Sequence, residues 1–346
     1  MRTTLRTTTA RARMWAGVTA ALLTTAAACG APEGADAPEA VEASEQQAAQ
    51  HEPAGAPATD LPVAVDLDLY VAGKQVPGRW YTAAGRGTHW VALRDDRTWW
   101  WGYDEEPQRI DGRIDQSVVI SASGGYTAHV QTGPGDGWTL VGADTEWAGE
   151  GFGAVDLPRT PMDPPPRAVA VTDDGLVVAG GPDFQWLWRP LVDGATVDLA
   201  ETAPGQVVLG GTDAGLLVND GAYDRTDGTQ GAPYLARLAA DGTLARLGPV
   251  PTHDALEASA QWLAYVPPGT IGGEASGTPE LQVQRRDGSG AGVLAAPDGW
   301  LFVAPGFRWE TADRLLALLV RRDGQFEALA RCRPDAESCE VVDLPD

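Results

Sequence analysis

The segment Leu315-Leu316-Ala317-Leu318-Leu319-Val320-Arg321-Arg322-Asp323-Gly324 contains the pattern that decides the fold of this chain. An apolar run leads directly into an Asp-Gly dipeptide, and a second strand-like segment starts shortly after it. Asp-Gly between two such runs is the strongest short-range signal for a β-hairpin. The apolar run alone also suits a short helix, but the turn residues that follow favour a strand.

The same signal recurs through the chain, at Asp174-Gly175, Asp241-Gly242 and Asp287-Gly288, so we expect antiparallel meanders. Recurrent strand-like runs start at intervals of 29 to 53 residues, and they cover 88–93, 117–121, 168–171, 206–209, 259–265 and 301–304. These intervals average near the length of one four-stranded unit of a repeat fold. An earlier hairpin, formed by 66–70 and 75–80, would supply a further sheet or close a ring.

Two of the repeated units carry a family resemblance: Ser-Ala-Ser-Gly-Gly-Tyr-Thr-Ala at 121–128 and Ala-Ser-Ala-Gln-Trp-Leu-Ala-Tyr at 258–265. They resemble the divergent TolB-like and WD40-like β-propellers of actinobacterial lipoproteins, although no Gly-His or Trp-Asp dipeptide recurs. The resemblance implies an all-β fold, a single β-propeller of six or seven blades of antiparallel strands covering 61–346. The alternative is a pair of β-sandwiches, which would explain the strands but not the recurrence of similar openings.

The first 28 residues have the anatomy of a secretory signal peptide, with a basic start, an apolar stretch from Met14 to Leu23 and small residues up to Cys29. The apolar stretch is shorter than the roughly 20 residues of a membrane-spanning helix. Ala26-Ala27-Ala28-Cys29 resembles the bacterial lipobox, with Ala26 where that motif usually has Leu. We therefore expect lipidation of Cys29. Cleavage by an ordinary signal peptidase, giving a soluble protein, is the alternative.

Residues 29–60 predict a disordered tether between the lipid and the folded domain. The stretch is rich in Ala, Pro, Glu and Gln, and it contains no aromatic residue, Leu, Ile, Lys or Arg. Such a composition cannot bury a core. A flexible chain of this length reaches on the order of 30 Å. The protein is thus expected to be extracytoplasmic and anchored to the outer face of the cell membrane through the lipid on Cys29.

Cysteine usage supports the same location. Cys332 and Cys339 lie at the two ends of a turn-rich link, so they can pair across a hairpin as a disulfide, which leaves Cys29 unpaired. An unpaired thiol is a liability in an oxidising compartment, and lipidation would remove it. A zinc site is the rival explanation of the pair, but no histidines cluster with these cysteines.

The charge of the chain excludes one class of partner. The formal net charge is −23, and loss of the four leader arginines lowers it to −27. Nucleic-acid binding depends on Lys and Arg side chains that replace counterions on phosphates. We therefore expect no nucleic-acid partner, and we interpret the acidity as a solubility feature of a protein at a cell surface.

Two tryptophan clusters are the candidate ligand-binding aromatics. Trp99 and Trp101 of the Trp99-Trp100-Trp101 string share one face of a strand, and Trp186 and Trp188 likewise alternate onto one face. Packing between blades is the structural interpretation, because large aromatic side chains dominate core burial. A platform for a sugar or a peptide is the functional one.

No catalytic or metal centre is predicted. The histidines after the tether are scattered, no Gly-x-Ser-x-Gly motif occurs, and no cofactor motif is present. Adjacent acids such as Asp104, Glu105 and Glu106 are expected to form solvated turns, and the broken ligand rhythm of Asp220, Asp224 and Asp227 argues against a calcium loop.

The sequence therefore predicts a membrane-anchored lipoprotein whose propeller binds or scaffolds a protein or a cell-envelope polymer without catalysis. The alternative is a carbohydrate-active enzyme that uses carboxylates at the mouth of the propeller channel. The two differ in one structural respect: converging acids beside a tryptophan wall would favour the enzyme, and a flat or plugged mouth would favour binding.

Overall fold

The structure of the protein is a computed structural model. It describes residues 59–103, 106–112, 114, 118–132, 137–145, 151–158, 162, 165–172, 174–180, 184–190, 192–221, 231–239, 241–270, 277–324 and 327–342. The predicted signal peptide, Cys29 and most of the predicted tether lie outside the described residues.

Seven antiparallel sheets, which we call blades 1 to 7 in chain order, form a β-propeller. Blade 1 has three strands, which are β1 (Val63–Val65), β2 (Asp68–Val71) and β3 (Lys74–Val76). Blade 2 has four strands, which are β4 (Trp80–Arg86), β5 (His89–Arg94), β6 (Trp99–Tyr103) and β7 (Glu106–Arg109). Blade 3 consists of β8 (Val119–Ile120), β9 (Tyr126–Thr132), β10 (Trp138–Asp144) and β11 (Gly151–Asp156).

The next two blades have the same strand order. Blade 4 consists of β12 (Arg167–Thr172), β13 (Gly175–Ala179), β14 (Gln185–Trp188) and β15 (Thr196–Asp198). A single helical turn, α1 (Leu199–Thr202), follows it and is capped by the Asp198 side chain, which accepts a hydrogen bond from the backbone N–H of Ala200. Blade 5 consists of β16 (Gln206–Thr212), β17 (Gly215–Asp220), β18 (Pro233–Leu238) and β19 (Leu244–Pro249).

Blade 6 contributes a short strand to the sheet of blade 7. Blade 6 consists of β20 (Ala255–Ala258), β21 (Trp262–Val266), β23 (Glu280–Arg285) and β24 (Ala291–Ala295). Blade 7 consists of β25 (Trp300–Trp309), β26 (Leu315–Arg321), β27 (Glu327–Arg333) and β28 (Ser338–Val342), with a 3-10 turn at Pro334–Ala336. The short strand β22 (Gly277–Thr278), from the connection between β21 and β23, pairs with β25. Blade 6 thus reaches over to its neighbour.

The four predicted Asp-Gly hairpins are confirmed. Three dipeptides lie between paired strands, namely β18 and β19, β23 and β24, and β26 and β27, and Gly175 of the fourth begins β13, which pairs with β12. At Asp287 the carboxylate accepts hydrogen bonds from the backbone N–H and the hydroxyl of Ser289, at 2.9 and 2.6 Å. Gly288 follows with φ at 81°, a value that glycine adopts without strain. The strand prediction for 315–320 is likewise confirmed by β26.

The first strand of each blade lines the central axis. Contacts between neighbouring blades run from β1 to β4, from β4 to β8, from β8 to β12, from β12 to β16 and from β20 to β25. In blades 2 to 7 the turns from first to second strand all lie at one end of the ring, which we call the turn face. The opposite end, where these first strands begin, is the loop face.

Apolar clusters fill all seven junctions between neighbouring blades. Trp262 of blade 6 packs with Phe307 and Trp309 of blade 7, for example. At the junction of blades 1 and 2, Trp90 is fully buried and lies against Gly102, where an added Cβ would stand 2.4 Å from the indole Cζ2. Packing on both faces explains why strands such as β26 do not alternate between apolar and polar residues.

Blade 1 closes the ring between blade 7 and blade 2. Val65 of β1 and Leu61, which precedes this strand, pack against Leu316 and Leu329 of blade 7. A reciprocal pair of hydrogen bonds adds to this junction: Asp66 N–H donates to Glu327 Oε2 and Glu327 N–H donates to Asp66 Oδ1, both at 3.0 Å. The hairpin predicted at 66–70 and 75–80 therefore supplies the seventh blade.

Two of the six predicted strand openings fall on second strands. The runs 88–93 and 259–265 correspond to β5 and β21, whereas the first strands of these blades are β4 and β20. The reason is burial. A second strand is packed on both faces, and β5 and β21 are therefore the most continuously apolar segments of their blades.

Candidate functional site

The turn face of the channel is crossed by one arginine. Arg86, at the end of β4 in blade 2, donates from Nη2 to Asp213 Oδ2 at 2.7 Å. Asp213 follows β16 of blade 5, so this ion pair links two blades that are not neighbours. Both side chains are about one-third exposed, at 32% and 33%.

The rest of the Arg86 guanidinium binds carbonyl groups of two further blades. Its Nε donates to Ala122 O at 3.0 Å, after β8 of blade 3. Its Nη1 and Nη2 donate to Glu310 O at 3.2 Å and Trp309 O at 3.3 Å, at the end of β25 of blade 7. A planar group with five N–H donors can satisfy several acceptors at once, which a lysine could not do in this geometry. Arg86 therefore ties four blades together at this mouth.

A second ion pair supports the carbonyl that Arg86 uses. The carboxylate of Glu310, which is buried, receives Arg331 Nε at 2.6 Å and Arg331 Nη2 at 2.7 Å. Burial alone would raise the pKa of Glu310, but hydrogen bonds from Arg331 and Thr59 lower it below its ordinary value. Bidentate pairing of this kind fixes the orientation of the carboxylate.

Glu257 and Arg308 are two further charged residues on first strands. Leu256 and Ala258 of β20 pack at the junction with blade 5, whereas Ala255 packs at the junction with blade 7. Because side chains alternate along a strand, Glu257 points to the side of blade 7. Burial raises the pKa of Glu257 to about 7. The positive charge of Arg308 on β25 lowers this pKa, and the negative charge of Asp213 raises it further.

Arg308 has an unsatisfied donor. Its Nη1 is buried and has no hydrogen-bond partner among the described residues. Its charge acts on both Glu257 and Asp213, lowering the pKa of each carboxyl. Burial nevertheless leaves the pKa of Asp213 above its ordinary value. We call the group formed by Arg86, Asp213, Glu257 and Arg308 the channel cluster.

The channel cluster differs from the acid pair of a glycoside hydrolase. A glycosidase needs one protonated acid and one free carboxylate on opposite sides of a bond. Glu257, with a pKa of about 7, has the acidity of a general acid. Asp213 is engaged by Arg86, however, in an ion pair across the channel. This geometry does not favour the carbohydrate-active alternative.

The predicted aromatic residues lie in junctions between blades. Trp101 is buried and Trp99 is half-buried in the cluster between blades 2 and 3, while Trp100 packs between blades 1 and 2. Trp188 is buried and Trp186 is half-buried between blades 3 and 4. These positions provide no tryptophan wall for the channel. Ligand binding by these four candidates remains a prediction.

The predicted disulfide between Cys332 and Cys339 is confirmed, with the two residues directly opposite each other on β27 and β28. It joins the last two strands of blade 7. Cys29, Asp104, Glu105, Asp224 and Asp227 lie outside the described residues. Among those that are described, no group of three His, Cys, Asp or Glu side chains could hold a metal ion.

Two clefts flank the junction of blades 5 and 6. The larger, of about 420 Å³, reaches the turn face, with walls formed by Leu235, Leu247, Leu263 and Arg286 among others. The smaller, of about 250 Å³, opens at the loop face, with walls formed by Leu209, Leu217, Pro233, Thr252, His253, Asp254 and Leu256 among others. Burial lowers the pKa of His253, while its hydrogen bond to Pro251 O and the charge of Asp254 oppose that shift.

Sequence reasoning missed the channel cluster. Arg86 and Asp213 end or follow first strands, and nothing in their local sequence distinguishes them from other turn residues. Arg308 offered a signal, because it stands between Phe307 and Trp309 on a strand that packs against other blades. A charged residue among buried aromatic residues on such a strand must point to solvent, to an ion pair or into a polar cavity.

Within the described residues, no helix has both the length and the apolar character that crossing a membrane requires.

Comparison with known proteins gives a likeness of fold. No protein-family model matches the chain, and no curated protein matches it. Similar solved structures include an uncharacterized protein of Listeria monocytogenes EGD-e, at 14% identity and a TM-score of 0.46, covering 79% of this chain and 87% of the other.

Two further structures are an oligogalacturonate lyase from Vibrio parahaemolyticus and a TolB-like protein from Agrobacterium tumefaciens. The lyase has 14% identity and a TM-score of 0.42, covering 71% of this chain and 74% of its own. The TolB-like protein has 11% identity and a TM-score of 0.36, covering 78% and 82%. The fold of this chain follows from its seven sheets and seven packed junctions, which identify it as an all-β protein with a seven-bladed β-propeller.

Proposed function

We propose that this protein is a non-catalytic binding propeller, held at the outer face of a membrane through a lipid on Cys29, which captures a protein partner on its loop face. The observation that carries the proposal is the cleft at the loop face, where apolar side chains of blades 5 and 6 lie beside His253 and Asp254. At the turn face, by contrast, Arg86 crosses the channel and joins four blades.

Blades 5 and 6 also have the longest connections in sequence between a second and a third strand. Residues 221–232 join β17 to β18, and residues 267–279 join β21 to β23 through β22. Both connections belong to the two blades that form the cleft. Binding residues are found preferentially on loops that a rigid scaffold positions, and the propeller supplies such a scaffold.

The composition of the cleft and the charge of the chain favour a protein over an anionic polymer. Leu209, which is 37% exposed, and the half-buried Leu256 offer apolar surface, and His253 and Asp254 add polar groups. The net charge of −27 that the chain would have without its leader repels polyanions at long range. A partner with an apolar side chain set in a basic surface matches both features.

Site-specific photocrosslinking in cells tests this proposal. A benzoylphenylalanine in place of Thr252, which is exposed beside the loop-face cleft, should yield a discrete protein adduct. The matched control is Val341, which is 41% exposed on β28 and away from this cleft, and it should yield none. Absence of an adduct at 252, the same adducts at both positions, or an adduct that only a polysaccharide-degrading enzyme removes would contradict the proposal.

The anchor is tested separately. Mass spectrometry of the mature N-terminus should find a diacylglyceryl group on Cys29, and the Cys29→Ser variant should move from the membrane fraction to the medium. An unmodified Cys29 at the mature N-terminus would instead identify the ordinary signal-peptidase product and refute the lipid anchor. That result would not bear on partner binding, which the crosslinking experiment tests independently.

A further inference from the structure

We propose that the rim of blade 6 is an interface between two copies of this chain, which pair in an antiparallel arrangement through the outer strand β24 (Ala291–Ala295). This interface lies on the outer edge of the ring, apart from the loop-face cleft, and it does not depend on the proposed function. Three features of the strand point to it: outward backbone groups without partners, the lack of guarding residues, and a self-complementary register.

The backbone of β24 is hydrogen-bonded on one side only, to β23. The N–H of Ala296 donates to Pro279 O at 2.8 Å, which sets the alternation of this ladder. In an antiparallel pair, every second residue bonds to the neighbouring strand, so Leu294 and Gly292 bond to β23. The N–H and C=O groups of the residues between them point outward, at Ala291, Val293 and Ala295.

These outward groups are open to a further strand. All three residues are exposed, and their backbone groups have no hydrogen-bond partner among the described residues. Blade 7 covers only one face of the strand: an added Cβ at Gly292 would stand 2.6 Å from Glu337 Oε1. A Cβ projects from the face of a sheet and not along its edge, so Glu337 leaves the outward groups of β24 uncovered.

The strand also lacks the residues that normally guard an exposed sheet edge. Charged residues and prolines on an edge strand discourage pairing with a further strand. β24 reads Ala-Gly-Val-Leu-Ala and contains neither. Each of the other six outer strands that the structure describes contains at least one such residue, namely Lys74, Pro107, Asp156, Asp198, Arg246 and Glu340.

The register of the strand favours a second copy as the occupant. A two-fold axis at Val293 places this residue opposite Val293 of the second copy, and it places Ala291 opposite Ala295. Each pair then exchanges two hydrogen bonds, and no charge faces a like charge. Self-pairing of β28 about its central residue would instead place Glu340 opposite Glu340, which is destabilising. Since both copies are strongly acidic, salt should strengthen the pairing by screening their repulsion.

Single cysteines test this register in the full chain. In Val293→Cys the two thiols would stand on directly opposite residues, whose Cα atoms are about 5.5 Å apart, a distance that suits a disulfide. Mild oxidation with copper phenanthroline should give a reducible product of twice the chain mass. Ala291→Cys alone should give none, because its two copies would lie about 14 Å apart along the strands. A mixture of Ala291→Cys and Ala295→Cys should again be linked.

The matched control is Leu247→Cys. Leu247 and Val293 are both 38% exposed, and Leu247 lies on β19, the outer strand of blade 5. This variant should give no more linked product than the unmodified chain. A second measurement is sedimentation of the purified full chain. Val293→Lys places like charges opposite each other and should shift a dimer to a monomer, whereas Leu247→Lys should not.

Several results would overturn the proposal. Absence of linkage in Val293→Cys, equal linkage in Leu247→Cys, or linkage of Ala291→Cys alone as efficient as that of Val293→Cys would each do so. A product that contains a different protein would assign the edge to another partner and equally refute pairing between copies. Circular dichroism verifies that each variant is folded. None of these results bears on the crosslink at Thr252, so the two proposals fail separately.

Discussion

Replacing Arg86 by methionine should destabilise the whole propeller, because this side chain links blades 2, 3, 5 and 7. Arg86→Met removes three hydrogen bonds to carbonyl groups and the ion pair with Asp213. In a fully buried site the loss would approach 3 to 5 kcal/mol. Since one-third of each side chain is exposed, water can reach part of the network, and we expect a loss of about 2 to 3 kcal/mol.

The matched control is Arg286→Met, which also removes hydrogen bonds from an arginine to carbonyl groups at the turn face. Those bonds, at 3.4 and 3.3 Å, stay within blade 6 and are exposed or half-buried. We expect a loss below about 1 kcal/mol. Arg86→Lys should lie between the two, because it keeps the charge but loses the planar fork.

Urea denaturation at pH 7, followed by tryptophan fluorescence and by circular dichroism, measures both losses in the free energy of unfolding. Hydrogen exchange adds a spatial test: in Arg86→Met, amides near residues 122, 213 and 310 should exchange faster although they belong to different blades. If Arg86→Met cost no more than Arg286→Met, or if faster exchange stayed within blade 2, the view of Arg86 as a link between blades would be wrong.

Three further predictions concern the framework. Burial lowers the pKa of His129 to about 4, so as the pH falls the unfolded chain takes up a proton before the folded chain does. About 3 kcal/mol of stability that is present above pH 6.5 should therefore be lost by pH 4. Comparing the urea midpoints of the unmodified chain and His129→Gln across this pH range isolates the loss. Gly102→Ala should cost about 1 to 3 kcal/mol by driving a methyl group into a buried indole, whereas Gly248→Ala, which meets no atom within 4 Å, should cost under about 1 kcal/mol in the same assay. Reduction of the disulfide between Cys332 and Cys339 should lower stability by about 2 to 3 kcal/mol, and no shift of the thermal midpoint on reduction would contradict this.

The sequence was informative about the fold because turn chemistry is local. Asp-Gly dipeptides at 241–242 and 287–288 mark hairpins through the conformations of two residues, so no distant contact is needed to place them. The blade count was harder. β8 has only two residues and β1 only three, and their pairing depends on neighbours that the local pattern does not name.

The channel cluster could not be predicted for the same reason. Arg86 and Asp213 are 127 positions apart, and the charge of Arg308 reaches Glu257 only because their strands belong to neighbouring blades. The tryptophan strings, by contrast, were conspicuous in the sequence and lie in packed junctions. The conspicuous tryptophans of the sequence are thus packing residues, whereas the channel cluster forms only when the blades close into a ring.

The reciprocal hydrogen bonds between Asp66 and Glu327 have a kinetic consequence. Six of the seven junctions join blades that are consecutive along the chain, so each can assemble once its second blade has been made. The seventh joins residues 261 positions apart and must wait until blade 7 exists. Until then Leu61 and Val65 have no blade 7 surface to cover them, and closing a loop of this length slows the final step. An unclosed chain is therefore open to aggregation through the first and last blades, and the rate of refolding should be limited by their meeting.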